Sequence, residues 1–401
     1  MVTGDAAYIK KLNRGLILSK IVEHNGISRA NLSKETGLNK ATISVQVADL
    51  LQEGLLVEEQ QEHTNLGRRP IILRLNRKAG YALGIDLDKS QVIFTLSDLL
   101  GSPVQSKVVS LHTIDYEEIV KLLTDYISNF KNICKDSTYG ITGVVIGIHG
   151  TVSNDEIISF VPQLHWREKN LKADLEKQIA LPIHIENNAN LTALAERVYK
   201  HHHSDSLLSI TMQSGMGLGM IMKGELLRGF HGYAGEMGHM IVVPDGKECA
   251  CGNHGCWEQY ASEANFFREL AKESDEPKLT FLDVKTLLKA DHQQTHQKMN
   301  NFIKYVAIGM NNLINLYNPQ TIVLNSELLR IYPDAVNVIK QQLTSRISHY
   351  GELFISDLGE NACVMGACVL SIKNFLGISN LSLNLCDEYV SLEHINMQLV
   401  N

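Results

Sequence analysis

Three cysteines, Cys249, Cys251 and Cys256, lie within eight residues of one another in the string CACGNHGCWE at 249–258. Three soft thiolates with one imidazole make a closed tetrahedral zinc site. His239 and His254 could each supply the imidazole, and we favour His239 because the short loop between the second and third cysteines limits the reach of His254. No ligand position is left for water, so the spacing predicts a structural zinc ion. The alternative is a group of reduced thiols that binds no metal.

The composition of the chain is that of an ordinary soluble protein. It has 401 residues, of which 44% are hydrophobic and 20% charged, and seven cysteines. This length predicts two or three domains of roughly 100–200 residues each. No apolar run approaches the length of about 18 residues that a membrane helix needs, and the N-terminus lacks a secretory signal. We therefore expect a cytoplasmic protein without a membrane partner, in which a disulfide framework is not expected.

The net charge of −7 conceals two segments of opposite charge. Residues 1–78 carry 12 Lys and Arg against 8 Asp and Glu, whereas residues 79–401 carry 25 against 36. The net charges are therefore +4 and −11. A basic N-terminal segment on an acidic body is the asymmetry expected when one module meets DNA and the other has a different task.

The basic segment, residues 1–78, has the pattern of a winged helix-turn-helix, and we call it the N-terminal module. A first helix is predicted from apolar residues at helical spacing, Ile9, Leu12, Leu16 and Ile17. Ser28 can cap a second helix, Gly37 supplies the turn, and Asn39 can cap a third helix. Segments 55–57 and 71–75 then predict the two strands of a wing.

The N-terminal end of the third helix is the part that a recognition helix presents to base edges. Arginines in the wing can reach phosphates or a narrow minor groove. The predicted DNA contacts are Arg29, Lys40, Ala41, Thr42, Ser44, Arg68 and Arg69. The alternative is a three-helix module that binds another protein, because apolar spacing alone shows only that the helices pack.

From residue 79 the pattern changes to alternating strands and helices. Apolar segments predict strands at 81–86, 91–97, 104–111, 143–148 and 183–185, with helices at 115–131 and 189–199. A second series of strands and helices runs from 207 to about 367. We predict an α/β body of two lobes with a cleft between them. The first lobe takes 79–195, with 375–401 as a candidate completion, and the second lobe takes 196–374 with the zinc loop.

The segment Gly235-Glu236-Met237-Gly238-His239, followed by CACGNHGCWE, resembles the signature of the repressor, open-reading-frame and kinase (ROK) family. That family contains bacterial sugar kinases and sugar-responsive repressors with an actin/hexokinase-like, ribonuclease H-like fold. The strings LNKATISVQVADLL at 38–51, GRRP at 67–70 and CGNHGCWEQYASE at 251–263 are similar to the xylose-operon repressors of Gram-positive bacteria. Together these motifs extend the resemblance over nearly the whole chain.

The resemblance implies roles for individual residues. It implies that the zinc ligands are His239, Cys249, Cys251 and Cys256. It implies sugar contacts at Asn187, Asn188, Glu236, His239 and Glu258. Carboxylates and amides can make paired hydrogen bonds to adjacent sugar hydroxyls. The alternative for Glu236 and Glu258 is a salt-bridged surface carboxylate.

The parts that a ROK kinase needs are altered in three places. The catalytic aspartate of the kinases is replaced by Asn188, whose amide cannot accept a proton. The first phosphate loop, Asp-x-Gly-Gly-Thr in the kinases, is 86–90 here and contains no glycine. Near the adenosine site, Asn325-Ser326 stands where the kinases have paired glycines. The second loop, 214–219, keeps its glycines, but these can equally serve close backbone packing.

The sequence therefore predicts a sugar-responsive transcriptional repressor without catalytic residues. A dimer, or a tetramer, would place two recognition helices on a pseudo-palindromic operator. Xylose is the leading candidate for the inducer. Two other functions stay open: a ROK sugar kinase with residual ATP-dependent activity, and a repressor controlled by a partner protein.

Overall fold

The structure is a computed structural model that describes residues 6–60, 71–272 and 279–384. Its first elements are three helices and three short strands: α1 (Ala6–Glu23), β1 (Ile27–Ser28), α2 (Arg29–Thr36), α3 (Lys40–Gln52), β2 (Leu56–Gln60) and β3 (Ile71–Leu75). The strands form an antiparallel sheet in the order β1-β3-β2. Arg68 and Arg69, predicted to contact DNA, lie outside the described residues.

The predicted helix caps are confirmed. The hydroxyl of Ser28 accepts a hydrogen bond from the backbone N–H of Asn31, and the side-chain oxygen of Asn39 accepts one from Thr42 at 2.8 Å. Gly37 ends α2 in the left-handed conformation, with φ +70°. Each cap satisfies a backbone group that the helix itself leaves unpaired. These local signals explain why the element boundaries were predictable.

The predicted first helix is present as α1, but of the four apolar residues that predicted it only Ile17 is buried. Ile9, Leu12 and Leu16 are 48%, 55% and 38% exposed. The buried residues are instead Gly15, Ile17, Leu18, Ile21 and Val22. Because this helix carries apolar residues on two stripes, periodicity alone does not decide which stripe faces the core.

The next ten elements build a five-stranded sheet and its flanking layers. They are β4 (Tyr81–Leu87), β5 (Gln91–Asp98), β6 (Pro103–Ser110), α4 (Tyr116–Ile133), β7 (Ile141–Ile148), β8 (Thr151–Val152), β9 (Ile158–Val161), β10 (Trp166–Lys169), α5 (Leu171–Glu176) and β11 (Ile183–Asn187). The main sheet has the order β11-β7-β4-β5-β6, and β8–β10 form a smaller antiparallel sheet. Leu123, Ile127 and Phe130 of α4 join the buried core of this sheet.

The remaining elements build a second five-stranded sheet, in the order β14-β13-β12-β15-β16. They are α6 (Asn188–Tyr199), β12 (Ser206–Thr211), β13 (Gly217–Met222), β14 (Glu225–Leu226), α7 (Glu258–Ala261), α8 (Glu263–Ala271), α9 (Phe281–Lys289), α10 (Gln293–Tyr317), β15 (Thr321–Asn325), α11 (Glu327–Ile331), α12 (Ala335–Gln342), β16 (Glu352–Ile355) and α13 (Ala362–Leu376), with 3-10 turns at Met237–His239 and Gly359–Asn361. Strands β12, β15 and β16 run parallel, so their carboxyl ends meet at one edge.

Internal contacts divide the chain into two units. The first unit holds residues up to Asn187, Val198–His202 and residues from Val364 onward. The second unit holds Asn188–Arg197 and His203–Cys363. This division groups the N-terminal module with the first sheet, and it places the return to the first unit at 364 rather than 375. The predicted domains 1–78, 79–195 and 196–374 stay a prediction.

The N-terminal module joins the first unit through close contacts at the end of α13. Gly15 of α1 lies against Gly377, where an added Cβ would be 2.4 Å from the carbonyl oxygen. The hydroxyl of Ser19 donates to the carbonyl oxygen of Asn380 at 3.0 Å. None of the helices in the described residues is both long enough and apolar enough to cross a membrane.

Candidate functional site

Four side chains of the second unit converge on one point. The ligand atoms of His239, Cys249, Cys251 and Cys256 all lie within 4.8 Å of one another. The Nδ1 atom of His239 is 3.6 Å from the sulfur of Cys249, and the sulfurs of Cys251 and Cys256 are also 3.6 Å apart. His254, the alternative ligand, is exposed and is not part of this group. The structure thus contains a cluster that could hold a metal ion.

The donor set fits a tetrahedral metal ion. Ligand atoms around zinc with Zn–S bonds of about 2.3 Å lie roughly 3.6–3.8 Å apart, and two pairs in this group of four are 3.6 Å apart. Burial and the nearby Glu258 carboxylate raise the pKa of the Cys249 thiol to about 12. A bound cation would lower this pKa and hold the sulfur as a thiolate. Gly252 and Gly255 have φ of +95° and +82°, so the loop turns at both of its glycines.

His239 connects the cysteine cluster with two carboxylates. Its Nδ1 faces Cys249 and lies 3.7 Å from Oε1 of Glu258, whereas its Nε2 lies 3.9 Å from Oε2 of Glu236. Burial raises the pKa of Glu236, although the facing imidazole opposes this shift. A ligand at Nδ1 leaves Nε2 available for hydrogen bonding next to Glu236. Three of the predicted sugar contacts are therefore together in this unit.

Asn187 and Asn188 lie at a junction between a strand and a helix. Asn187 ends β11 in the first unit, where its side-chain amide donates to the carbonyl oxygen of Gly150 at 2.9 Å. Asn188 begins α6 in the second unit. The part of both asparagines in sugar binding stays a prediction.

Segment 86–90, which corresponds to the first phosphate loop of the kinases, begins with an aspartate that is paired with a histidine. Asp86 is buried near the end of β4, and its Oδ1 lies 2.8 Å from Nε2 of His149. Burial alone would lower the pKa of His149, but the Asp86 carboxylate raises it overall. Ser90 donates to Asp88 at the turn that follows. Carboxylates at this turn oppose the binding of phosphate.

The glycines of the second loop serve packing. A Cβ added at Gly219 would lie 2.2 Å from the carbonyl oxygen of Ala189 on α6, so only glycine permits this approach. Gly217 makes a similar contact with the Ala189 side chain. A Cβ at Gly215 would lie 3.5 Å from Oε2 of Glu258, which places this loop beside the second carboxylate.

A buried carboxylate occupies the carboxyl edge of β12 and β15. Glu263 is 5% exposed, and its Oε1 accepts hydrogen bonds from the Ser326 hydroxyl at 2.7 Å and the Leu328 backbone N–H at 3.0 Å. Its own backbone N–H donates to the carbonyl oxygen of Met212 at 2.8 Å. Burial raises the pKa of Glu263 to about 7, while these donors oppose the shift.

Sequence reasoning missed Glu263. The string YASE directly after the cysteine loop contains it, beside Ser262, which caps α8. No local pattern marks its role, because its partner Ser326 is 63 residues away. Only the fold brings the two together.

The surface of α3 carries most of the predicted DNA contacts. Lys40, Ala41 and Ser44 are exposed and Thr42 is half-buried, while Ile43, Val47 and Leu50 are buried on the opposite side. Val45 is 59% exposed on the same helix. Arg29, at the start of α2, forms an ion pair with Glu58 at 2.6 Å. On its outer surface α3 therefore combines polar and small side chains with one large exposed apolar side chain, Val45.

Comparison with known proteins identifies the family. The ROK family pattern matches residues 82–374. The chain belongs to the ROK family. It is 36% identical over 383 residues to the xylose repressor of Bacillus subtilis strain 168, a match that covers 94% of this chain and 99% of that protein. The predicted resemblance is confirmed, and the likeness extends well before residue 82.

Two solved ROK structures share the fold. A ROK family transcriptional regulator, a homologue of the E. coli Mlc protein, superposes with a TM-score of 0.79 at 24% identity, covering 92% of this chain and 98% of that one. A ROK family glucokinase from Streptomyces griseus, solved with glucose and AMPPNP, gives a TM-score of 0.62 at 24% identity, covering 73% and 99%. The α/β ROK fold of the body is thus confirmed.

Proposed function

We propose that this ROK protein is a sugar-responsive transcriptional repressor of the xylose type, which binds operator DNA as a dimer and releases it when the sugar binds. The likeness to the Bacillus subtilis xylose repressor over 94% of the chain carries this proposal. It includes the N-terminal module, which the ROK family pattern, beginning at residue 82, does not cover.

The N-terminal module is proposed to be a winged helix-turn-helix with α3 as its recognition helix. Its α2-turn-α3 arrangement, followed by the β2–β3 hairpin, supports this assignment. Lys40 and the wing arginines Arg68 and Arg69 supply phosphate contacts, and Ala41, Thr42 and Ser44 face the bases. Arg29, which forms an ion pair with Glu58, is proposed as a further DNA contact.

The sugar site is proposed around Glu236, His239 and Glu258, with Asn187 and Asn188 as further contacts. The two carboxylates accept hydrogen bonds from sugar hydroxyls, and Nε2 of His239 adds a donor or acceptor between them. Glu258 is 19% exposed and Glu236 is 46% exposed. The site is therefore accessible, and a hydrogen bond to a charged group contributes about 1.5–3 kcal/mol.

Zinc is the metal proposed for the cluster of His239, Cys249, Cys251 and Cys256. Three sulfurs and one nitrogen match the preference of zinc, and a fully protein-bound ion is structural. When bound, zinc supplies positive charge that holds the thiolates and fixes the loop. Cys256, in that loop, and His239, in the 3-10 turn at Met237–His239, lie next to the two carboxylates and orient them.

Purified protein is expected to contain about one equivalent of zinc per chain. Cys256→Ser should lose most of that metal, because one of four ligands is replaced by a poorer one. Metal analysis by mass spectrometry measures both. Cys134→Ser is the matched control, since Cys134 is buried away from the cluster in the first unit. Equal metal content in both variants would place the metal elsewhere.

Kinase activity is the second candidate function, because the ROK glucokinase shares the fold. The residues of this chain do not support it. Asn188 cannot act as a base, the turn after β4 carries Asp88 rather than glycines, and Glu263 occupies the carboxyl edge of β12 and β15. We therefore propose that the protein is not an enzyme.

For a sugar to release DNA, its binding must change the conformation or position of the N-terminal module. Helix α13 begins in the second unit at Ala362, and its end is followed by Gly377, which contacts Gly15 of α1. The contact between Gly377 and Gly15 attaches the N-terminal module to the end of α13. The sugar acts by binding the non-operator state more tightly, and a coupling of about 1–3 kcal/mol changes operator occupancy roughly 5- to 150-fold.

Calorimetric titration with a panel of pentoses and hexoses tests the sugar site. Xylose is expected to bind, and Glu258→Gln should weaken binding about 10- to 100-fold, because the neutral amide loses charge-assisted hydrogen bonds. Metal content is measured in parallel, since Glu258 lies 3.1 Å from the sulfur of Cys249. Glu225→Gln, on exposed β14, is the control.

An ATP-turnover assay and an operator-binding assay with the same sugars decide between the candidates. ADP formation with sugar and ATP would support a kinase. If none of the sugars in the panel releases the operator, the result would support control by a partner protein. Equal sugar affinity in Glu258→Gln and the unmodified protein would place the sugar elsewhere.

A further inference from the structure

Glu263 connects the sheet of the second unit with the segment that carries the proposed sugar carboxylate. Its backbone is bonded to the strand end after β12, and its side chain is bonded to the turn after β15. These strands are parallel neighbours, so both attachments lie at one edge of the sheet. The start of α8 is thereby fixed to two strand ends at once.

The anchored residue lies only five positions after Glu258. Between them, the hydroxyl of Ser262 donates to the backbone carbonyl of Glu258 at 2.7 Å, which closes the single turn of α7 onto the cap of α8. Trp257, the preceding residue, is fully buried. The position of the Glu258 backbone therefore depends on the attachment of Glu263.

The attachment of Glu263 consists of directional bonds to a buried carboxylate. A buried carboxylate is costly without a positive partner, and replacing it by leucine would leave the Ser326 hydroxyl and the Leu328 N–H without an acceptor. Within the described residues, Glu263 is bonded to the Ser326 hydroxyl and to the N–H groups of Glu327 and Leu328, with no ion pair. These acceptor bonds give directional placement, which apolar packing does not.

We propose that Glu263 is a positioning residue for the sugar site, which holds Glu258 in place through its acceptor bonds to the turn between β15 and α11. This inference rests on the proposed sugar-binding function. It assigns no direct sugar contact to Glu263.

The test compares two replacements of similar size in the full-length protein. Glu263→Gln keeps an oxygen acceptor for Ser326 and Leu328, whereas Glu263→Leu removes every acceptor. In titrations with xylose, Glu263→Gln is expected to stay within about threefold of the unmodified protein, and Glu263→Leu to bind about tenfold more weakly. Because Glu263→Leu leaves the buried Ser326 hydroxyl and Leu328 N–H without an acceptor, its melting temperature should fall, so affinity is measured well below that temperature. Arg268→Leu, exposed on α8, is the control and should change nothing.

The outcomes separate this inference from the proposed function. Equal xylose affinity in Glu263→Leu and the unmodified protein would overturn it, as would an equal loss in both Glu263 variants. If the unmodified protein binds no sugar, the proposed function fails. In that case, the rate at which metal transfers to a chelator tests whether Glu263 anchors the cysteine loop. Faster transfer in Glu263→Leu than in Glu263→Gln supports an anchored loop, because Cys256 precedes Glu258, and equal rates overturn it.

Discussion

Replacing Gly309 by alanine is expected to destabilise the protein by about 1–3 kcal/mol and to weaken metal and sugar binding together. A Cβ added at Gly309 on α10 would lie 2.0 Å from Cε2 of the Trp257 indole. The ring is fully buried, and its Nε1–H donates to the carbonyl oxygen of Tyr305 at 2.7 Å. It can move only by breaking that bond, and its chain neighbours are Cys256 and Glu258. Alanine regains up to about 1 kcal/mol of helix propensity, less than the cost expected for so short a contact.

The measurement is thermal or urea unfolding together with zinc content and xylose affinity. Asn312→Ala, exposed on the same helix, is the control and should stay within about 0.5 kcal/mol of the unmodified protein. The double variant Gly309→Ala/Trp257→Phe should lose less than the two single changes predict, because the smaller ring leaves room for the methyl group. Strict additivity would show that the ring and the methyl group do not compete for space.

The parts of the molecule that were predictable have short-range signals. Ser28, Gly37 and Asn39 mark helix ends through bonds to residues at most three positions away or through their own backbone conformation. The cysteine spacing likewise brings three ligands into one loop. His239 is only ten residues upstream of Cys249. In such cases, spacing limits the geometry strongly enough to predict it.

The parts that could not be predicted depend on contacts between distant segments. Trp257 packs on Gly309, and Glu263 is bonded to Ser326, across separations of 52 and 63 residues. A tryptophan or glutamate in these strings gives no local sign of its partner. The buried face of α1 could not be predicted for the same reason, because it packs on distant residues such as Gly377, which Gly15 contacts.

Replacing Val45 by aspartate is expected to weaken operator binding about 100-fold, with sugar and metal binding unchanged. Val45 is 59% exposed on α3, on a surface otherwise formed by Lys40, Ala41 and Ser44. An exposed apolar side chain on a recognition helix suits the methyl group of thymine. A carboxylate there loses that contact and faces the phosphates, and each lost base contact costs about 1–3 kcal/mol, twice over in a dimer.

Lys40→Ala separates phosphate contacts from base contacts on the same helix. It should weaken binding to all duplexes alike and reduce the dependence of log Kd on log salt by about one unit per half-site. Fluorescence anisotropy at several salt concentrations measures both variants, with a duplex that the protein selects from a random pool and a scrambled duplex. Lys121→Ala, exposed on α4 in the body, is the charge-matched control. If Val45→Asp binds the selected duplex as tightly as the control does, α3 is not the recognition helix. If Lys121→Ala loses as much affinity as Lys40→Ala, the phosphate contacts extend over the body, and the basic N-terminal module is not the sole DNA-binding surface.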